Sequence, residues 1–135
     1  MQIEVLMATL FTKIIQGEIP SFKLYEDEWT YSFLDIRPVQ PGHALVIPKL
    51  EIDHFIDVPE PHYSKMFEAS KTVSIALQRA TGCKRVGVAV IGYEVPHCHI
   101  HLIPSNSMAE LAFENAREMD MALLKEWQQK ILDAF

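Results

Sequence analysis

From His97 to Leu102 polar and apolar side chains alternate without a break, inside the run Val95-Pro-His-Cys-His-Ile-His-Leu-Ile-Pro104. Successive side chains of an extended strand point to opposite faces. The pattern therefore predicts a strand over residues 97–103, with His97, His99 and His101 on one side and Cys98, Ile100 and Leu102 on the other. Half of the six histidines in the chain form one wall of a polar surface.

Elsewhere the pattern switches between helical and extended periods. Thr9 can cap a helix running to Gln16, with Gly17 past its end and Pro20 barring continuation; Leu10, Phe11 and Ile14 share a face of it. Aromatic-rich extended segments at 23–27 and 30–36, separated by acidic turn residues, predict a hairpin. Turn residues fill 37–42, and 43–47 reads as a short buried strand ended by Pro48. Pro59 and Pro61 mark the opening of a long helix, in which Met66, Phe67, Val73, Ala76, Leu77 and Ala80 recur at helical spacing up to Gly82. Residues 85–91 form a Val-rich strand joined to the histidine strand by about five residues, which makes the pair an antiparallel hairpin. After Pro104 the segment 105–107 signals a stop. The remainder reads as helical, with Met121, Leu124, Trp127, Gln128 and Ile131 in a stripe beside Leu132 and Phe135. The expected class is α+β: about five antiparallel strands with helices on one face, the long helix and the C-terminal helix among them.

At 135 residues and 49% apolar content, the chain is sized for one domain able to bury a core unaided. Neither a repeat, a low-complexity tract nor a linker divides it. The expected organisation is a flexible extension over residues 1–8, with Met7 as a candidate start, followed by one domain over 9–135. Cys83 and Cys98 make no spacing motif, which fits a reducing, cytoplasmic setting better than a secreted one. No stretch of about 18 apolar residues and no basic leader points to a membrane. A net charge of −6 without Lys/Arg stripes argues against a general nucleic-acid binder. Small phosphate ligands remain open, because imidazoles and backbone N–H groups hold a single phosphate whatever the overall charge.

Three readings of the histidine face stand side by side. Isolated strand histidines are usually hydrogen-bonded structural residues, though three on one face would waste a core surface. Imidazole is also the commonest nitrogen ligand of zinc, but three alternate histidines span about 13 Å at about 3.3 Å per residue, so convergence on one ion is strained. The third reading is phosphate chemistry, in which one imidazole attacks and its neighbours hold phosphoryl oxygens.

The run His97-Cys-His-Ile-His-Leu-Ile resembles the motif that names the histidine triad superfamily. Leu10-Phe-Thr-Lys-Ile-Ile-Gln-Gly-Glu-Ile-Pro20, Phe33-Leu-Asp-Ile-Arg-Pro38 and Pro41-Gly-His-Ala-Leu-Val-Ile-Pro-Lys49 resemble successive further blocks of that family, in order. The resemblance implies a short nucleotide hydrolase-like member in which His99 is the nucleophile. It attacks the α-phosphate of a purine nucleotide (AMP-like) ligand to give a covalent nucleotidyl-histidine, which water hydrolyses. His101 and His43 would hold phosphate oxygens and the leaving atom, and His97 would fix the tautomer and orientation of His99. Asp35 would accept hydrogen bonds from both ribose hydroxyls. Leu10, Phe11, Ile14, Ile19, Phe33 and Leu34 would sandwich the base. No metal or cofactor is implied, and a paired-cysteine zinc motif near the amino terminus is absent.

The turn before the triad departs from the family pattern. Many relatives carry glutamine and serine or threonine where this chain has Tyr93 and Glu94, and a carboxylate there would repel phosphate unless protonated or turned away. Glu94 is read as a nucleotide-contact position, either a leaving-group acid or a solvated turn residue. The implied activity is cleavage of nucleoside phosphoramidates, with dinucleoside polyphosphates as an alternative. A nucleotide-binding module without turnover and a metal-dependent hydrolase are the other classes to separate. The resemblance also implies a homodimer with a continuous sheet, which would cover an open edge.

Overall fold

Five strands build an antiparallel sheet in the order β1-β2-β3-β5-β4: β1 Lys23–Glu26, β2 Thr30–Leu34, β3 Ala44–Pro48, β4 Arg85–Ala89 and β5 Ile100–Ser105. The computed structural model describes residues 9–135. The extension expected over 1–8, with its alternative start, lies outside the described residues. β2, β3 and β5 are buried along their whole length, as strands covered on both faces must be.

One face carries Leu24, Leu34, Ala44, Val46, Ile100 and Leu102 into a core closed by α2 (His62–Thr81). Met66, Ala69, Val73, Ala76, Leu77 and Ala80 supply its buried stripe at helical spacing. Gly82 ends this helix in the left-handed conformation (φ 69°) that a glycine adopts without strain. Phe67, expected in the stripe, lies outside it, 38% exposed, with its ring 5.3 Å from that of Tyr63 one turn earlier. α3 (Met121–Leu132), capped by Asp120 on the N–H of Ala122, adds Leu124 and Ile131 to the same core. Met121, expected in that stripe, is exposed.

α1 (Leu10–Ile15) takes the opposite face. Phe11 and Ile14 there meet Tyr31, Phe33, Leu45 and Ile47, which makes a second, smaller core. Helices thus cover both faces, where one was expected. The reason is that β2 and β3 present apolar side chains on both sides, and the second set needs a cover.

Three further expectations change. The ladder of the histidine strand begins at Ile100, not His97. Pro48, the last residue of β3, has no N–H to extend it, and the N–H of Cys98 bonds instead to the carbonyl of Ile52 at 2.7 Å. The link from β4 to β5 accordingly runs through residues 90–99 rather than about five. Residues 108–120 form two short 3-10 turns, Met108–Leu111 and Phe113–Asn115, and an irregular segment instead of continuous helix. That segment is tied across the molecule by Arg117 N–H to Pro38 O and Met119 N–H to Ile36 O. No helix among the described residues is long and apolar enough to cross a membrane.

Candidate active site

The register of the central strands decides which histidines face inward. Leu45 pairs with His101 and Val46 with Ile100, so His101 shares the α1 face of the sheet while its neighbours enter the α2 core. The alternation continues back through His99, although the ladder has ended. A cavity of about 210 Å³ opens on this face. It gathers Leu10, Phe11, Ile14, Ile19, Phe33, Leu34, Asp35 and Glu94, all expected at the nucleotide, together with His99 and His101.

Hydrogen-bond partners that can only donate or only accept settle the tautomers. His99 Nδ1 lies 2.8 Å from the carbonyl of His97. That oxygen only accepts, so Nδ1 carries the proton and Nε2 of the neutral ring carries a free lone pair. His43 Nδ1 accepts the N–H of Val39 at 3.0 Å, which leaves its proton on Nε2 to donate to His101 Nδ1 at 2.9 Å. His101 in turn holds its own proton on Nε2. The result is one imidazole set as a nucleophile beside another set as a donor, their ring centroids 4.9 Å apart.

Burial keeps the His43–His101 donor chain intact. It pushes His43 down to about 3 and His101 down to about 4, with neighbouring imidazoles adding to the effect, so both rings are neutral near pH 7. The approach of His43 Nε2 to Asp35 Oδ2, 3.7 Å, is therefore a polar contact and not an ion pair. Asp35 is itself raised from the usual carboxylate range, chiefly by burial. The N–H of Arg37, 2.9 Å from Oδ1, opposes the shift, and the charge of Glu94 adds to it.

One expected role is corrected, and another is located on a particular atom. His43 is fully buried and does not line the cavity; its Nε2 meets His101 rather than open space where a phosphate oxygen would sit. The His97 imidazole lies beside the start of α1 but outside the cavity lining, donating from Nε2 to the Pro48 carbonyl at 2.9 Å and accepting at Nδ1 from Thr9 Oγ1 at 3.1 Å. The backbone carbonyl of His97, not its ring, fixes the tautomer of His99. The contact expected from His97 to His99 thus comes from the His97 backbone.

Sequence reasoning missed the supports. Glu51 accepts from the N–H of Thr9 (2.8 Å) and from Thr12 Oγ1 (2.6 Å), pinning the start of α1 beside His97. Thr9 was legible as a cap, but its second bond to a ring 88 residues away carries no local signal. Phe113 stands edge-on to His101 at 4.9 Å and to His43 at 6.3 Å, with nothing in its own neighbourhood of the chain to mark it. A second cavity of about 300 Å³ touches His99 from another side, lined by Asp53, His54, Tyr93 and Cys98 among others. Burial holds the Cys98 thiol up at about 11, so it is no nucleophile at neutral pH.

Asp35, His43 and His101 offer one ligand atom each within 4.8 Å of one another. His43 Nε2 and His101 Nδ1 already bond to each other, so neither nitrogen is free for an ion unless that bond breaks. These side chains fit a hydrogen-bond relay better than a ligand set.

A family model described as "HIT domain" matches residues 16–108. The adenosine 5'-monophosphoramidase HNT1 of Saccharomyces cerevisiae is 40% identical over an alignment covering 72% of this chain and 62% of that one. The adenylylsulfatase HINT3 of Arabidopsis thaliana is 35% identical, with 90% of this chain and 65% of that one covered. The chain thus spans a little under two thirds of the length of these two relatives. Among solved structures, a Hit-like protein from Bartonella henselae superposes with a TM-score of 0.85 at 30% identity, covering 96% of this chain and 97% of that one.

Proposed function

The chain belongs to the HIT domain family, and on that premise we propose that it is a hydrolase acting at the α-phosphate of purine nucleoside phosphoramidates or related nucleotide conjugates. The observation that carries the reading is the bond from His99 Nδ1–H to the His97 carbonyl, which leaves the Nε2 lone pair free beside the cavity. That lone pair forms a bond to phosphorus as the bond to the leaving group breaks, and water then attacks the nucleotidyl-histidine to release the nucleotide. His101 donates a hydrogen bond from its Nε2–H to a phosphoryl oxygen, where negative charge builds in the transition state. The apolar slot between α1 and β2 takes the base, and Asp35 accepts from the ribose hydroxyls. The activities for which the yeast and Arabidopsis relatives are named support nucleotide conjugates as the substrate class.

Positioning and hydrogen-bond donation come from neutral side chains, and the reading is of a reaction without a metal. The test is AMP release from adenosine 5′-phosphoramidate by wild type and His99→Ala, each with and without chelator. Chelator-resistant release that vanishes in the variant is expected. Release by the variant overturns the covalent mechanism. Binding of AMP by the wild type without release favours a nucleotide-binding module, and chelator-sensitive release favours a metal enzyme.

We also propose a homodimer. β4 lies at the edge of the sheet, and Val88 on it is 59% exposed, a site for a second copy to continue the ladder. Gel filtration at the 15.5 kDa mass of one chain would sink this reading.

A further inference from the structure

Both cavities that meet at His99 are acidic. Asp35 and Glu94 line the first and Asp53 the second, and no Lys or Arg is among the described residues lining either. The Glu94 side chain makes no hydrogen bond or ion pair among the described residues, and it is exposed at the cavity rim. Its charge is felt inside, since it opposes ionisation of Asp35. Arg37 acts on Asp35 from outside the lining, and His43 and His101 are neutral. A nucleotide phosphate can be held here by hydrogen bonds, but further negative charge finds no cation to meet it.

We propose that Glu94 makes this site selective for conjugates whose leaving group departs as an amine over those whose leaving group departs as an anion; the inference rests on the hydrolase reading above and deepens it. When His99 Nε2 bonds to phosphorus, the electron pair of the breaking P–N bond goes to nitrogen, which takes a proton from solvent. An aliphatic amine or ammonia is then a cation near pH 7, and the Glu94 carboxylate is a favourable partner for it. In the second step water bonds to phosphorus and gives a proton to solvent as the bond from phosphorus to His99 Nε2 breaks and its electron pair returns to that nitrogen; the sum is phosphoramidate plus water to amine plus nucleotide. A sulfate or polyphosphate leaves with its negative charge undiminished. A carboxylate at the rim opposes that charge as it builds, which raises the barrier for this class alone. Asp35 is a weaker candidate for the role, because its Oδ1 is engaged by the Arg37 N–H and its carboxyl is buried.

The experiment compares kcat/KM for adenosine 5′-phosphoramidate and adenosine 5′-phosphosulfate in wild type, Glu94→Gln and Glu94→Lys. Wild type is expected to prefer the phosphoramidate. Removing the charge should lower that preference about tenfold, mainly through faster phosphosulfate cleavage, and reversing it should lower the preference further. A preference unchanged within about twofold in both variants overturns the proposal, as does a wild type that prefers the phosphosulfate. Both of those results leave the hydrolase reading standing. Turnover of neither compound by wild type overturns the hydrolase reading itself, and this proposal with it.

Discussion

His43 stands directly behind His101, its Nε2 2.9 Å from the outer ring's Nδ1, with the backbone N–H of Val39 holding its other nitrogen. The loop that carries Val39 therefore dictates, through two rings, that His101 presents N–H and not a lone pair toward the cavity.

Replacing His43 with alanine should therefore impair turnover more than binding. His101 would lose the donor that fixes its tautomer, so kcat should fall roughly tenfold or more while KM changes little. Steady-state kinetics on adenosine 5′-phosphoramidate checks this. A pure rise in KM would place His43 in ground-state binding instead.

Stability should fall on mild acidification. His43 and His101 sit at about 3 and about 4 in the fold, and His97 is also lowered by burial. An unfolded histidine titrates near 6.5. Between those limits the unfolded chain binds more protons than the folded one, so stability rises with pH up to about 6.5 and is lost as pH drops from there toward 4. Urea midpoints measured from pH 8 to pH 4.5 should decline in that window, and less so in His43→Phe.

Thr9→Ala removes the cap of α1 and the donor to His97 together. The expected cost is about 1–2 kcal/mol, read from urea unfolding. Thr9→Ser, which keeps the hydroxyl, should recover most of it. Activity should track stability here, because α1 carries Leu10, Phe11 and Ile14 into the cavity wall.

Phe113→Ala should wet the relay. Its ring shields His101 and His43 edge-on, so its loss lets the His101 pKa climb from about 4 toward the ordinary histidine range. Imidazole resonances followed by NMR through a pH titration would show the shift. The acid limb of the activity profile should move to higher pH with it.

Much of this site was written locally. The alternation through residues 97–102 determines that His99 and His101 share a face, because the period of two follows from backbone geometry and survives even where the ladder stops at Ile100. The Thr9 cap, the Gly82 terminator and the apolar stripe of α2 are short-range patterns of the same kind, set by neighbours within a turn or two. The eight residues expected around a nucleotide all line one cavity, although the Leu34 side chain itself belongs to the α2 core.

What only tertiary structure decided is where each ring points and what it bonds. Alternation alone leaves His97 indistinguishable from His99, yet its ring turns to Pro48 and Thr9, 49 and 88 residues away, and only its carbonyl serves the nucleophile. His43 becomes a relay because β3 and β5 pair in one register across 58 residues. Residues 108–120 have a helical composition but run irregularly: Glu110, Asn115 and Ala116 bond within tight local turns, and the N–H groups of Arg117 and Met119 take acceptors on the 36–38 loop. The amino-acid sequence by itself determined which side chains could do chemistry and on which face they lie, because those depend on backbone period. Tautomer, orientation and shielding depend on partners brought from distant parts of the chain, and these were decided only when the sheet closed.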